Sequence, residues 1–307
     1  MKYLNLSLST NCSANCIFCP SNKGDKIPVK LMSIETAEQI CKQLDEYSPD
    51  VISFGENGDL FLNPDAITII KMFDKAYPQA KKVVFTNFKY LDEHKIPTIL
   101  DIVYEVVCNF DSLNEDNYYA TKGIKMHKPL SNLYKFLTLR DSLKSETKLS
   151  INVLNSASYQ WIVKNITGHE PKKTRPTVED DTEQTITQLV KMTRGNDTIN
   201  KSYVNLWAER HLNSFIRFEV NTCPHLSRIQ NELFVAPDGT CYLCCLDSAV
   251  DLQLGNIHNQ TLQQIFEGDE RKHLIHLLET KQFSNIGMPC ITVKSCWNFI
   301  RQETGDV

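Results

Sequence analysis

Short apolar runs typical of buried strands alternate with segments of helical periodicity over the first two thirds of the chain. In the segment SIETAEQICKQLDEY, Ile40, Leu44 and Tyr47 share one helix face, and Ser33 is suited to cap the first turn. Strands are predicted at 3–9, 51–55, 82–87, 103–110, 148–154 and 202–207, and helices at 33–47, 66–77, 92–102, 131–143 and 182–193. Such alternation is typical of a parallel sheet whose strands carry functional groups at their carboxyl ends. Six units predict an α/β fold, an open and partial (β/α)6 barrel of the TIM type.

The pattern changes near residue 220. The segments ELFVA, PDG and TCYLCC predict a β-hairpin, and a helix is expected over TLQQIFEGDERKHLIHLL before a loop-rich tail. We therefore predict a core of residues 1–220 and a small, cysteine-rich C-terminal domain of residues 221–307. Within the core, residues 156–200 are polar and contain prolines, which predicts an irregular insertion such as a long loop or lid.

Composition narrows the possible functions. The 307 residues carry a net charge of −4, so no basic field favours nucleic acid or an anionic membrane as a partner. No signal peptide and no membrane helix of about 20 apolar residues is recognisable, so a cytoplasmic protein is expected. Eleven cysteines in a reducing compartment indicate metal or redox chemistry rather than disulfides. Cys41 and Cys108 stand alone in apolar patterns, and we expect both to be buried as small hydrophobic side chains.

Three cysteines follow the first predicted strand. Cys12, Cys16 and Cys19 have the spacing C-x3-C-x2-C, with Phe18 directly before the third. Three thiolates on one loop can hold three corners of a cubane iron–sulfur cluster and leave one iron open to another ligand. The alternative is a structural zinc knuckle, which needs four closed ligands, and no fourth Cys or His lies near this loop. The spacing therefore favours a [4Fe–4S] cluster.

This arrangement, C-x3-C-x-aromatic-C after a first strand, resembles the signature of the radical S-adenosylmethionine (radical SAM) enzymes. The resemblance implies that the open iron binds the amino and carboxylate groups of SAM. It also implies that an electron from a donor such as flavodoxin or ferredoxin cleaves SAM to methionine and a 5′-deoxyadenosyl radical. That radical would abstract a hydrogen atom from a substrate.

The segment after the second strand resembles the family's Gly-Gly-Glu turn. Gly58 and Asp59, followed by LFLNP, match it with Asp in place of Glu, and Gly55 and Glu56 are further candidates in the same turn. Glycines let the backbone approach the methionine ammonium of SAM, and a carboxylate or carbonyl accepts its hydrogen bonds. The turn is therefore expected to bind SAM.

Later strand ends resemble other parts of the SAM pocket. Thr86 and Asn87 are similar to a Thr-Asn-Gly segment in which Phe88 replaces the glycine, and NFD at 109–111 is similar to a Ser-x-Asp segment that contacts the SAM ribose. Asn155, at the end of the fifth strand, is a weaker candidate. The residues expected to bind the cofactor are Phe18, Gly55, Glu56, Gly58, Asp59, Thr86, Asn87, Asn109, Asp111 and Asn155.

A second set of cysteines follows residue 220. Cys223, Gly239 and Cys244 form C-x15-G-x4-C, which resembles the opening of the SPASM and twitch domains that bind an auxiliary [4Fe–4S] cluster. Downstream, Gly287 and Ile300 occupy two of the places where a full SPASM domain has cysteines. The resemblance implies a twitch-like domain with one auxiliary cluster on Cys223, Cys244, Cys290 and Cys296. Cys241 and Cys245 are neighbours that could substitute, and a structural zinc ribbon is the alternative.

The resemblance implies a radical-based oxidoreductase or a related tailoring enzyme. A single auxiliary cluster, which would accept the electron left on a substrate radical, is similar to twitch-type aminocyclitol dehydrogenases. It suggests dehydrogenation of a small polar substrate such as a sugar or aminocyclitol. The alternatives are a maturase that epimerises or crosslinks a ribosomal peptide, and a non-enzymatic zinc-binding protein. Oxidation needs a base near the substrate, and the unranked candidates are Asp111, Asp247, Glu209, Arg210 and His211.

Overall fold

The computed structural model describes residues 1–19, 28–157, 178–203, 223 and 225–286. The strands in these ranges are β1 (Tyr3–Leu6), β2 (Val51–Phe54), β3 (Lys81–Phe85), β4 (Glu105–Asn109), β5 (Lys148–Asn155), β6 (Thr198–Tyr203), β7 (Glu232–Val235), β8 (Thr240–Tyr242) and β9 (Gln253–Asn256). The α-helices are α1 (Ile34–Lys42), α2 (Ala66–Ala76), α3 (Ile96–Ile102), α4 (Glu115–Lys122), α5 (His127–Ser142), α6 (Thr182–Met192), α7 (Leu226–Ile229), α8 (Leu262–Phe266) and α9 (Asp269–Glu279). Short 3-10 helices lie at Leu60–Leu62 and Phe283–Asn285.

One sheet contains all of these strands, in the order β6-β5-β4-β3-β2-β1-β7-β8-β9. Strands β1 to β6 pair in parallel in chain order. Strand β7 joins the other side of β1, also in parallel, and β8 and β9 follow in antiparallel. Among the described residues β6 and β9 are the edges, so the sheet is open. The predicted α/β fold with an unclosed, partial barrel is confirmed.

The two faces of the sheet differ because alternate residues of a strand point to opposite sides. On one side Leu4, Ile52, Phe54 and Val84 are fully buried against the helices, and the ring of Phe54 lies 5.8 Å from that of Phe73 in α2. Burying each such side chain stabilises the fold by about 1.5–3 kcal/mol. The opposite side carries amides and hydroxyls. We call it the polar face and define it by Asn5, Ser53, Asn109, Asn152 and Asn200.

Helix α1 shows how the first βα unit forms. The Ser33 hydroxyl accepts a hydrogen bond from the Thr36 backbone N–H (3.1 Å), and Ala37 and Ile40 are fully buried. The helix ends at Lys42, earlier than the predicted 47, because the chain turns toward β2 through Ser48, whose φ is 41°.

Both isolated cysteines are buried in the apolar core. Cys41 lies on α1 and Cys108 on the helix-facing side of β4. The prediction of two small hydrophobic side chains is confirmed for both.

The structure corrects the prediction for residues 156–200. The sixth strand begins at Thr198, four residues before the predicted start at 202, because the polar segment TINKSY is held by pairing with the buried strand β5. It is described as far as Tyr203, and residues 204–207 lie outside the described part. Helix α6 was expected at 182–193 and lies at Thr182–Met192. The irregular insertion is therefore wrong for residues 182–200, and residues 158–177 lie outside the described part.

Helix α4 was missed by the sequence reasoning. The Asn114 side chain accepts hydrogen bonds from the backbone N–H groups of Asp116 and Asn117, and Gly123, with φ of 67°, ends the helix. The signal that could have identified this helix is an asparagine directly before two acidic residues, followed by a glycine at position 123 that can end the helix. This helix matters because its last turn contacts the loop that follows β1.

The C-terminal part is tied to the core by more than the sheet. The predicted hairpin is confirmed by β7 and β8, and its Gly239 has φ of 80° in a turn where a Cβ would lie 2.7 Å from Ile257. Gln43 of the α1 end accepts a hydrogen bond from the Leu262 backbone N–H (2.7 Å). Within the C-terminal part itself, Arg271 of α9 donates to the Ile229 carbonyl of α7 (2.7 Å). Among the helices described, none combines the length and apolar character needed to cross a bilayer.

Candidate active site

The loop that follows β1, residues 7–19, carries the first three cysteines, and we call it the cysteine loop. Its position is set by backbone hydrogen bonds. Asn15 N–H donates to the Lys122 carbonyl (2.8 Å) and Ile17 N–H to the Thr121 carbonyl (2.9 Å), both in the last turn of α4. Carbonyls at a helix C-terminus have no hydrogen-bond partner within the helix. The N–H groups of the cysteine loop supply those partners, and the same hydrogen bonds fix the position of the loop.

The three thiols of this loop are half-buried and lie close enough to influence one another. Burial raises the pKa of Cys12 to about 11 and of Cys16 to about 12, and the Cys19 thiol contributes to both shifts. Without a metal the thiols of Cys12 and Cys16 therefore remain protonated, and metal binding would have to displace their protons. Within the described residues, no three Cys, His, Asp or Glu side chains form a preformed metal site. The donor set fits an iron–sulfur cluster by its chemistry, since thiolates are the usual cluster ligands and all three lie on one loop.

The turn after β2 approaches the cysteine loop closely. Gly58 has φ of 83°, and a Cβ there would lie 2.5 Å from the Ser9 carbonyl oxygen and 2.6 Å from that of Asn11. The Asp59 backbone N–H donates to the Asn11 carbonyl (2.8 Å). Only glycine permits this contact between the two segments.

The Asp59 carboxylate lies next to this contact. One oxygen, Oδ1, accepts a hydrogen bond from the Phe61 N–H (3.1 Å), whereas Oδ2 is buried with no hydrogen-bond partner among the described residues. Burial raises the pKa of Asp59 to about 6, and its charge acts on Cys12. A buried acceptor without a donor, beside three thiols, fits the ammonium group of SAM in the way the sequence resemblance implies.

Gly55 and Glu56 belong to the same turn but have different surroundings. Gly55, with φ of 100°, donates its N–H to the Leu6 carbonyl (3.0 Å) and leaves no room for a Cβ beside the Phe85 carbonyl. Glu56 is half-buried and accepts a hydrogen bond from the Ser53 hydroxyl (3.2 Å) on the polar face. Burial, aided by Glu232, raises the pKa of Glu56 to about 7. Its carboxylate therefore faces the C-terminal hairpin and not the cysteine loop.

Polar groups that the sequence reasoning missed surround Glu56. Asn5 donates to Glu232 Oε1 (2.8 Å), which also accepts from Arg228 Nε (2.8 Å), and the Ser53 hydroxyl donates to Asn5 Oδ1. The signal in the sequence is a polar residue inside each of two otherwise apolar strands, β1 and β2.

Thr86 and Asn87 form a tight turn at the end of β3. Thr86 Oγ1 accepts from the Phe88 N–H (3.1 Å) and Asn87 Oδ1 from the Lys89 N–H (2.9 Å), while Asn87 Nδ2 lies 3.9 Å from Cys12 Sγ. Phe88 has φ of 63°, the left-handed conformation that its glycine counterpart in the resemblance adopts readily. The turn thus contacts the cysteine loop even though the glycine is absent.

An asparagine ladder crosses three strands on the polar face. Asn152 Nδ2 donates to Asn109 Oδ1 and Asn200 Nδ2 donates to Asn152 Oδ1, each at 3.2 Å. All three side chains retain some exposure to solvent. At the end of β5, Asn155 donates to Asp180 (3.2 Å). Asn109 therefore lies in a row of amides that can bind hydroxyl groups.

Asp111 makes a buried ion pair. Its Oδ2 lies 2.8 Å from Lys122 Nζ and its Oδ1 accepts from the Leu154 N–H (3.3 Å). Burial alone would lower the pKa of Lys122, but Asp111 raises it above the ordinary value, so the lysine stays charged. The Lys122 ammonium also lies 5.4 Å from the ring centroid of Phe18, which is buried directly before Cys19.

Three of the four cysteines described in the C-terminal part lie close to one another, namely Cys223, Cys244 and Cys245. Cys244 Sγ accepts from the Leu246 N–H (3.5 Å), as thiolate ligands commonly do, and Cys223 and Cys245 act on one another electrostatically. Cys241 instead lies in the apolar core, on the helix-facing side, so it is separated from this group. Cys290 and Cys296 lie outside the described residues.

Asp247 has a structural position. Its two carboxylate oxygens accept hydrogen bonds from the backbone N–H groups of Asp251 (2.9 Å) and Leu252 (2.6 Å), which closes the turn after β8. Glu209, Arg210 and His211 lie outside the described residues. Of the carboxylates described, Glu56 is the one that is half-buried, faces the polar face and has a pKa raised to near neutrality.

Comparison with known proteins agrees with this arrangement. Residues 223–297 match the family model of the SPASM domain, an iron–sulfur cluster-binding domain. BtrN in complex with AdoMet and 2-DOIA has a similar fold (13% identity, TM-score 0.59, covering 93% of this chain and 89% of BtrN). So does anSMEcpe with bound AdoMet (12% identity, TM-score 0.62, 91% and 81%). Streptococcus suis SuiB bound to the precursor peptide SuiA is also similar (14% identity, TM-score 0.57, 87% and 64%).

No curated protein sequence matches the chain. The structural neighbours and the SPASM match together confirm the resemblance to radical SAM enzymes that carry a C-terminal SPASM or twitch domain. The match to an iron–sulfur domain also favours an auxiliary cluster over the zinc ribbon.

Proposed function

We propose that this chain, which has the fold of radical SAM enzymes and a SPASM domain, oxidises a small polyhydroxylated substrate such as a sugar or aminocyclitol. The observation that carries the proposal is Asp59 Oδ2, which is buried beside the cysteine loop and has no hydrogen-bond partner among the described residues. When bound, the [4Fe–4S] cluster and SAM supply a 5′-deoxyadenosyl radical that removes a hydrogen atom from carbon. Cys12, Cys16 and Cys19 would hold this cluster, and Asp59 would receive the ammonium group of SAM.

The sheet register supports a substrate position between two clusters. The cysteine loop leaves the carboxyl end of β1, whereas the turn with Cys244 follows β8, which runs antiparallel to β7 and so returns toward the other end. In β1, Tyr3 pairs with the first residue of β7 and Leu6 with the last. These two residues of β1 are three positions apart, so at about 3.3 Å per residue the two ends of β7 are separated by roughly 10 Å. Cys223, Cys244, Cys290 and Cys296 would hold the auxiliary cluster, and a cytoplasmic donor such as flavodoxin or ferredoxin would supply electrons.

The polar face suits a substrate rich in hydroxyl groups. The ladder of Asn109, Asn152 and Asn200 presents amide donors and acceptors, which bind hydroxyls. Glu56 lies on the same face near Ser53 and would receive the hydroxyl proton when a carbinol carbon becomes a carbonyl carbon. The BtrN structure of similar fold was solved with 2-DOIA as well as AdoMet, which adds support for a small-molecule substrate.

A peptide maturase is the second candidate. It is favoured by the similarity to SuiB, whose structure was solved with a precursor peptide. The non-enzymatic zinc protein has no comparable support.

The reaction class is tested by anaerobic reconstitution with iron and sulfide, followed by SAM and dithionite. We expect the wild-type protein to form 5′-deoxyadenosine, measured by mass spectrometry, and the triple variant Cys12→Ala, Cys16→Ala, Cys19→Ala to form none. Cys41→Ala, which removes a buried thiol of α1, is the matched control and should retain the activity. Wild-type protein that binds zinc and no iron, or that holds iron and forms no 5′-deoxyadenosine, would overturn the proposal.

The substrate class is tested by isotope transfer. Aminocyclitols and sugars deuterated at the ring carbons, and a separate set of deuterated peptides, are each incubated with the reconstituted protein. Deuterium in 5′-deoxyadenosine together with a product lighter by two hydrogens is expected for a ring substrate. Transfer from the peptides alone would favour the maturase.

A further inference from the structure

A buried lysine lies against the cysteine loop. Lys122 is the last residue of α4, and only 3% of its side chain is exposed. Its ammonium pairs with Asp111, whose side chain is 1% exposed, and lies over the ring of Phe18. The hydroxyl of Tyr118, fully buried and without a hydrogen-bond partner in the described part of the chain, lies among the same charges.

The position of this lysine relative to Cys16 is fixed by the backbone. The N–H groups of Asn15 and Ile17, on either side of Cys16, donate to the carbonyls of Lys122 and Thr121. The lysine thus anchors the loop through its own carbonyl, while its side chain reaches the interior beneath the loop.

The positive charge of Lys122 favours the thiolate forms of Cys16 and Cys12, so it opposes the increase in their pKa values that burial causes. Asp111 acts on Cys16 with the opposite sign. Charges act over longer distances in a buried environment because little water screens them.

We propose that the ion pair of Lys122 and Asp111 sets the reduction potential of the cluster held by Cys12, Cys16 and Cys19, the lysine raising it and the aspartate lowering it. Reduction adds one negative charge, so a nearby cation stabilises the reduced cluster and a nearby anion destabilises it. Lys122 acts through the cysteine loop and does not contact the substrate, so it is a positioning residue. The inference rests on the proposed function only in that this loop binds an iron–sulfur cluster.

The test is a redox titration of the reconstituted full-length protein, followed by electron paramagnetic resonance. The cluster signal that changes on addition of SAM identifies the cluster of the cysteine loop. For Lys122→Met we expect at least a tenfold lower ratio of reduced to oxidised cluster at a fixed ambient potential, which corresponds to about 59 mV for one electron. For Asp111→Asn the ratio should rise.

Lys82→Met is the matched control. Lys82 is also a buried lysine, paired with Asp74 at 2.7 Å, but it lies near the amino end of β3, away from the cysteine loop. Its loss should leave the ratio unchanged. Lys122→Arg, which keeps the charge, should stay within a factor of about three of the wild-type ratio, which on the scale of potential is about half of the tenfold step.

The opposite signs distinguish electrostatics from damage to the fold. If Lys122→Met and Asp111→Asn shift the ratio in the same direction, if neither shifts it, or if Lys82→Met shifts it as far, the proposal is wrong. If Lys122→Met fails to retain iron, the rise expected for Asp111→Asn still decides. Wild-type protein that binds SAM at the cluster without cleaving it would contradict the proposed function but would leave this titration decisive, because the signal is identified by SAM binding alone. If no signal responds to SAM, the signal lost in the triple variant Cys12→Ala, Cys16→Ala, Cys19→Ala identifies the cluster instead.

Discussion

Replacing Gly58 by alanine should separate the turn after β2 from the cysteine loop. At φ of 83° an alanine costs about 1–2 kcal/mol in backbone strain. Its Cβ would also lie 2.5 Å from the Ser9 carbonyl oxygen, and real Cβ contacts are not shorter than 3.0 Å. Backbone must therefore move by about 0.5 Å, since the atoms in contact belong to the main chain and not to a flexible side chain. We expect a total loss of about 2–4 kcal/mol in unfolding free energy.

The moved segment is the one that carries Cys12, so cluster retention should fall as well as stability. Urea denaturation gives the free energy of unfolding, and iron analysis after anaerobic reconstitution gives cluster content. Gly195→Ala is the matched control, because no atom lies within 4 Å of a Cβ at that position and its φ is not positive. A Gly58→Ala protein with the stability and the iron content of the Gly195→Ala protein would refute the reasoning.

Three further variants test the site and the core. Asp59→Asn should weaken SAM binding to the reconstituted protein about tenfold to a hundredfold, because it removes a charged hydrogen-bond acceptor. Calorimetry measures the affinity, with Asp65→Asn as the control variant, and equal SAM affinities of the two variants would contradict the prediction. Glu56 has a folded pKa raised from 4.5 to about 7, so the wild-type protein loses stability as pH rises between these values. Glu56→Gln should abolish that pH dependence, and at pH 8 it should be roughly 2 kcal/mol more stable than the wild-type protein, a value that allows for the partial exposure of Glu56. Urea denaturation of both proteins at pH 5 and pH 8 tests this, and the same difference in unfolding free energy at both pH values would disprove it. Arg140→Met should cost about 3–5 kcal/mol, since it leaves Asp197 buried without its bidentate partner at 2.6 and 2.8 Å. The double variant Arg140→Met, Asp197→Leu should recover much of that loss in unfolding free energy, measured by denaturation. No recovery would show that the loss does not come from leaving Asp197 without its partner.

Local signals made much of the site predictable from the sequence. The cysteine loop needs only its spacing, and Gly58 and Asp59 are recognised because a glycine and a carboxylate follow a strand. The hairpin of β7 and β8 is encoded by its turn residues. In each case the residues that determine the structure are neighbours in the chain.

What the sequence did not reveal depends on contacts between distant segments. The parallel pairing of β7 with β1 joins residues more than two hundred positions apart, and the polar strand β6 is held by its pairing with β5. The orientation of Glu56 follows from the same pairing, because Glu232 and Arg228 reach it only once β7 lies beside β1. No local pattern distinguishes it from Asp59, three residues later.

The pairing of β7 with β1 explains how one strand can serve two cysteine sites. A cluster site at the carboxyl end of β1 uses the usual edge of a parallel sheet, where loops are free to vary. The second site lies toward the opposite end because β8 reverses direction after the turn at Gly239. The two ends of β7 lie opposite residues of β1 that are of the order of 10 Å apart along the strand. Under the proposed function, a substrate on the polar face would lie beside β1, between the cysteine loop and the turn that carries Cys244. The residues between the two sites, Asn5, Ser53 and Glu56, are hydrogen-bonded to one another, so their positions are fixed by the same sheet.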